Sequence, residues 1–148
     1  MKETSYVMVK PEFANKYEVI VDIVNRLESA GLKILKENYV QYTVETAQQH
    51  YAEHVGKGFY PELEEYITSD YAYGMIVEGE NAIKTIRELV GSTKNPEEGT
   101  IRYDIPKALG LELRVTQNVV HASDSVESAK REIAIFESIL ENSNSCGL

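Results

Sequence analysis

Tyr6-Val7-Met8-Val9-Lys10-Pro11 is the stretch on which the fold turns. Its apolar run is continuous and short, the pattern of a buried strand, and Lys10-Pro11 closes it into a loop. Working outward, Asn15 followed by Glu18 has the form of a capping box, and Ile20, Ile23, Val24 and Leu27 recur at helical spacing until Gly31 stops them. The first unit is a strand and a crossover helix.

Residues 32–43 mix β-branched and aromatic residues with charges, as a half-exposed strand does, and Thr43 is placed to cap a helix over Val44 to Val55. After Gly56 and Gly58, Pro61 to Ser69 reads as a second short helix with Leu63, Tyr66 and Ile67 inward, which completes a helical hairpin. Tyr71 to Val77 reads as a buried central strand. Ile83, Ile86 and Val90 follow on one helical face that Gly91 ends. From Ser92 to Gln117, Pro96, Gly99, Pro106 and Gly110 interrupt any period, so a long loop is expected. Asn118 to His121 forms a last short strand, and Asp124 with Glu127 opens a helix with the stripe Val126, Ala129, Ile133, Phe136 and Leu140.

This order implies an α+β fold, a ferredoxin-like split βαβ: a four-stranded antiparallel sheet with packed helices and a helical hairpin insertion. One domain over 1–148 is expected, with residues 142–148 a flexible tail. The 43% hydrophobic and 26% charged content is that of a globular chain.

A net charge of -9 opposes general nucleic-acid binding, which draws on Lys and Arg displacing counterions, so an anionic ligand needs a local basic cluster. A lone cysteine, Cys146, excludes an intramolecular disulfide and a thiolate-rich zinc site, and it suits the cytoplasm. No apolar run has the length of a signal-peptide core or a membrane span.

The main candidate for chemistry is Asn118-Val119-Val120-His121-Ala122-Ser123-Asp124-Ser125, followed by Glu132. A histidine at a strand end beside a helix N-terminus suits phosphate chemistry, and Glu132 in the second helical turn is placed to hold its ring. The alternative is a strand-end histidine merely satisfied by hydrogen bonds. A second pattern, His50-Tyr51-Ala52-Glu53-His54, satisfies the H-x-x-E-H spacing of inverted zinc peptidases, in which His50 and His54 would share a helical face. A noncatalytic binding module is the third reading, since the fold hosts many functions.

Further stretches join the histidine motif in order: Phe59-Tyr60, Val77-Glu78-Gly79-Glu80-Asn81-Ala82, Gly91-Ser92-Thr93 with Asn95-Pro96, Gly99-Thr100-Ile101-Arg102, and Ser128-Ala129-Lys130-Arg131-Glu132-Ile133-Ala134. With Tyr6 to Pro11 and His50 to His54, this ordered set resembles the nucleoside diphosphate kinase family. The resemblance implies that His121 is a nucleophile accepting the γ-phosphoryl group of a triphosphate, mainly ATP, with Glu132 and Ser123 orienting its ring. By the same resemblance Lys10, Tyr51 and Arg102 would face the transferred group, and Arg87 and Thr93 the phosphate behind it. Asn118 and Lys10 would reach the sugar, Phe59 and Val115 would sandwich the base, and Mg²⁺ would bridge the phosphates with no dedicated protein metal site. A homotetramer or homohexamer is implied. Such residue types fit phosphoryl transfer, which needs positioning and charge stabilisation above all.

Several positions depart from the family pattern. Glu12-Phe13 replaces Asp-Gly, Tyr103 replaces the glycine of Arg-Gly-Asp, Lys94 is extra, and Ile105 to Thr116 carries additional residues. Ala122 replaces a glycine, at a cost of about 1–2 kcal/mol if its φ is positive and at no cost in the β region.

Overall fold

The computed structural model describes residues 2–93, 95–111 and 119–146, with side chains as far as Glu141. Four strands, β1 (Lys2–Val9), β2 (Lys33–Val40), β3 (Ala72–Glu80) and β4 (Val120–Ala122), form one sheet in the order β2-β3-β1-β4. Every pairing is antiparallel. The strands β1 and β2 run the same way with β3 between them, which is the split βαβ expected from the sequence.

Both faces of the sheet are covered, and this explains the unbroken apolar run of β1. Val7 and Val9 join one core with α2 (Tyr17–Ser29) and α5 (Ala82–Val90). Tyr6 and Met8 point the other way, into a second core with α3 (Val44–His50), α4 (Tyr60–Thr68) and α7 (Val126–Cys146). Gly74 on β3 permits the close approach of α7, since a Cβ there would lie 2.6 Å from both the Phe136 ring and the Tyr6 hydroxyl.

Thr43 caps α3 as expected, its hydroxyl accepting from the Thr46 N–H at 3.1 Å. Other expectations need correction. The Asn15–Glu18 capping box does not form. Pro11 instead starts a single turn, α1 (Pro11–Ala14), Asn15 closes it, and α2 begins behind Lys16 without a side-chain cap. Pro fits a first helical position, where its missing N–H costs nothing.

The helix expected over Val44 to Val55 stops at His50, because Tyr51 leaves helical backbone and only a 3₁₀ turn, Ala52–His54, follows. The expected loop of Ser92 to Gln117 contains α6 (Ile101–Ala108), whose buried Ile101 and Ile105 lie one turn apart and outweigh the bond that Pro106 removes. Tyr103 is helical there and needs no glycine. Asp104 accepts from Arg26 of α2 at 3.1 Å and from the Gly99 N–H at 2.9 Å, which docks α6.

The stripe of α7 is also rotated: Ile135 and Ile139 are buried beside Ala129, Phe136 and Leu140, Ile133 is half-buried, and Val126 is 41% exposed. The Ser128 backbone N–H in the first turn of α7 is accepted by the Ser125 hydroxyl at 3.1 Å, while Asp124 meets the Ser128 side chain. Helical backbone continues to Cys146, through most of the expected tail, and residues 147–148 lie outside the described range. Among the described residues no helix is long and apolar enough to cross a membrane.

Candidate active site

His121 lies on β4 opposite Met8 of β1, so its ring shares the sheet face covered by α3 and α7. There its Nε2 is 2.9 Å from Oε1 of Glu132, which is 2% exposed. The Ser123 hydroxyl donates to the same oxygen at 2.6 Å and accepts from the Tyr6 N–H at 3.0 Å. A strand, a tight turn and the second turn of a helix thus hold one imidazole, as the spacing suggested. An ionised carboxylate only accepts, so Nε2 carries the hydrogen and the lone pair falls on Nδ1.

Burial, then Lys10 and Arg102, depress the His121 pKa to about 3, so the ring is neutral at physiological pH. Its contact with Glu132 is therefore a hydrogen bond to a carboxylate and not an ion pair. Burial pushes the Glu132 carboxyl upward, while His50, the Ser123 hydroxyl and Arg131 oppose that rise.

Lys10 is 6% exposed at the end of β1, and its N–H donates to Val119 O at 2.8 Å. Burial, with Arg102 adding to it, lowers its pKa to about 7. Val119 holds φ +78°, a left-handed conformation that costs a β-branched residue on the order of 1–2 kcal/mol. This strain sits directly before the histidine strand. Ala122 is absent from the positive-φ residues, so the alanine in place of glycine costs nothing.

Arg102, carried by α6, donates to Gly91 O at 2.8 Å and to Val120 O at 3.0 Å, which joins the end of α5 to β4. Burial, then Arg87, lowers its pKa to about 10, and it remains a cation. Gly91 must itself adopt φ +94°, and a Cβ there would meet Thr100 Oγ1 at 2.6 Å. Arg87, exposed on α5, and Arg102 line a recess of about 170 Å³ with Gly91, Ser92 and Ala122. A wider concavity of about 540 Å³ continues from Arg87 past Asp124 to Lys84 and Glu3. Replacing Arg102 with Ala is expected to slow phosphoryl transfer by ~10²-fold, as for loss of one preorganised donor. Steady-state rates at unchanged fold, monitored by circular dichroism, check this, and an unaltered rate would remove Arg102 from the phosphate-facing residues that the sequence resemblance implies.

Tyr51 is buried with its ring 5.8 Å from that of His121, and its hydroxyl has no hydrogen-bond partner among the described residues. Burial raises its pKa well above the usual range, while Arg102 pulls it down. Phe59 is 43% exposed, with its ring 5.5 Å from His54, so it is not a core residue. Thr93 is exposed, and its neighbour Ser92 is the residue that lines the recess. Val115 and Asn118 lie outside the described residues.

The zinc-peptidase pairing does not form. His50 ends α3 in the core, whereas His54 sits in the following 3₁₀ turn with Nδ1 3.4 Å from Lys57 Nζ, so the two share no helical face. His50 instead packs 4.5 Å from His121, a neighbour that sequence reasoning missed because the pattern was read along one helix.

The sequence profile of the family described as nucleoside diphosphate kinase matches residues 3–139. The chain belongs to this family. It is 45% identical over 137 residues to a nucleoside diphosphate kinase of Listeria monocytogenes, covering 90% of this chain and 88% of that one. Against one from Archaeoglobus fulgidus the identity is 48%, covering 90% and 85%. Among solved structures, a Halobacterium salinarum nucleoside diphosphate kinase in complex with CDP superposes with a TM-score of 0.81 at 36% identity, covering 92% and 88%. The apo enzyme of Encephalitozoon cuniculi gives a TM-score of 0.81 at 31% identity, covering 90% and 88%. As a nucleoside diphosphate kinase family member, the chain is a phosphotransferase acting between nucleoside tri- and diphosphates, and such nucleotide kinases work with a divalent metal.

Proposed function

We propose that His121 carries the phosphoryl group. Its Nδ1 attacks the γ-phosphorus of a nucleoside triphosphate, mainly ATP, a P–N bond forms as the bond to the bridging oxygen breaks, and the diphosphate leaves. A second diphosphate takes the group back by the reverse step, so the kinetics are ping-pong. The observation that carries this reading is the neutral ring tied at Nε2 to a buried carboxylate, with Nδ1 left for attack.

Glu132 and Ser123 orient the ring. Lys10, Tyr51 and Arg102 meet the transferred group, and the buried Tyr51 hydroxyl, which has no hydrogen-bond partner among the described residues, supports that role. Arg87 and Thr93 hold the preceding phosphate, Asn118 the sugar, and Phe59 and Val115 the base. The charged side chains lining the recess are both cations, Arg87 and Arg102, and Asp124 lies beside Arg87 in the wider concavity. Such a cleft fits phosphate oxygens and leaves Mg²⁺ to be carried by the nucleotide, where it neutralises phosphate charge.

Leu35 and Tyr39 are exposed on β2, which among the described residues pairs with β3 alone, and this favours assembly through that edge into a homotetramer or homohexamer. A single cysteine favours the cytoplasm. Incubation with ATP and Mg²⁺ is expected to leave an acid-labile, alkali-stable phosphate on His121, identified by peptide mapping. Stable phosphate recovered on serine instead would overturn the assignment.

A further inference from the structure

We propose that His50, His121 and Glu132 form a binding site for a borderline transition-metal ion, Zn²⁺ foremost, and that its occupation switches off the phosphate carrier. One ligand atom from each of the three lies within 4.8 Å of the others. They come from the end of α3, from β4 and from α7, so the group is assembled by the core and not by one flexible segment.

The second observation is His50 itself. It is 1% exposed, and neither ring nitrogen has a hydrogen-bond partner among the described residues. A buried polar atom left unmatched is destabilising, and a ligand at the site removes that cost. Tyr6, Tyr42 and Tyr51 surround the ring edge to face or tilted, holding it by packing and leaving the nitrogens for a ligand.

Two imidazoles and one carboxylate with an open fourth position make a zinc donor set, whereas Mg²⁺ prefers oxygen ligands and keeps its waters. Ligand atoms at a tetrahedral zinc lie about 3.4 Å apart, given bonds of roughly 2.1 Å. The Nε2 to Oε1 separation of 2.9 Å is already near that value. The widest pair, at most 4.8 Å apart, closes by up to about 1.4 Å, a ring movement that breaks no hydrogen bond of the His50 side chain among the described residues. Ser123, donating to Oε1 of Glu132, serves as an outer partner that fixes the carboxylate. A fifth of the His121 side chain is exposed, which gives the ion an entry path.

Zinc on Nε2 displaces the hydrogen of that nitrogen to Nδ1. The proton count of the ring is unchanged and nothing is oxidised, but Nδ1 loses the lone pair with which it attacks phosphorus. Metal and phosphoryl group therefore exclude each other. Binding rests on the geometry alone, and only the switching rests on the reading of His121 as carrier.

The test titrates the full chain with Zn²⁺ alone, free of nucleotide, by calorimetry and by metal analysis after dialysis. About one ion per chain is expected at micromolar free metal, weakened ~10²-fold by His50→Gln and unaltered by His54→Gln. Zinc-loaded wild type should take no phosphate from ATP and Mg²⁺ until a chelator is added. The zinc-treated His50→Gln protein should label at its own zinc-free rate. No uptake by wild type, uptake that survives His50→Gln, or labelling undisturbed by bound zinc would each overturn the proposal. If His50→Gln does not fold, Co²⁺ added to wild type decides. An intense four-coordinate visible spectrum that vanishes on phosphorylation supports the site, and a weak six-coordinate spectrum indifferent to phosphorylation overturns it. Failure of zinc-free wild type to label at all would instead sink the carrier reading, with metal uptake still measured independently.

Discussion

Replacing His121 with Ala is expected to lower phosphate exchange between ATP and a second diphosphate by at least ~10⁴-fold, with no phosphate left on the protein. Loss of a covalent nucleophile removes both half-reactions at once, and single nucleophile deletions elsewhere cost as much or more. His50, 4.5 Å away, cannot substitute, because its ring lies wholly inside the core behind Tyr42 and Tyr51. Nucleotide affinity should change far less than turnover, since Lys10, Arg87 and Arg102 stay in place. Some loss of stability is expected too. Glu132 keeps the Ser123 hydroxyl but loses its imidazole donor, and a buried carboxylate deprived of a partner is destabilising. Circular dichroism must therefore show folded protein before rates are compared. Residual exchange above about 1% of wild type would mean that the phosphoryl group does not travel on His121.

The pairing of His121 with Glu132 was legible because the partners lie 11 residues apart across a strand, a turn and a helix, each of which announces itself locally. The same holds for β1, β3 and the Thr43 cap, where apolar runs and a capping residue suffice. The prolines were harder. The sequence presents Pro11 and Pro106 alike as breakers, yet Pro11 opens α1, where a proline suits the first position, and Pro106 is tolerated in α6 because burial of Ile101 and Ile105 outweighs local propensity. The face of α7 was misread for a related reason. One side meets the sheet and another meets α3, so its buried residues do not follow a single stripe.

Long-range geometry left no local mark at all. The bond from the Lys10 N–H to Val119 O, the positive φ of Val119 and the approach of His50 to His121 depend on where β1, β4 and α3 meet in space. The family pattern supplied Phe59 and Thr93, but their exposure alone does not connect them to the ring of His121.

Lys10 exposes the conflict between stability and function in this cleft. Its pKa falls from 10.5 to about 7 because burial penalises the cation and Arg102 repels it. Between those values the unfolded chain keeps a proton that the folded chain has lost, so this group makes stability rise with pH through that window. Below pH 7 the burial of charge is a full cost, of order a few kcal/mol. Lys10→Met is therefore expected to raise the melting temperature at pH 7 by about 3 °C or more while lowering kcat/KM by ~10²-fold or more. On the proposed role, in which the ammonium meets phosphate, kcat/KM should decline as pH climbs above about 7, while kcat stays flat because bound phosphate restores the proton. Thermal melts of both proteins and a pH profile of wild type measure these effects. A Lys10→Met protein that melts lower and still turns over would show that Lys10 is a structural residue whose charge the reaction never uses.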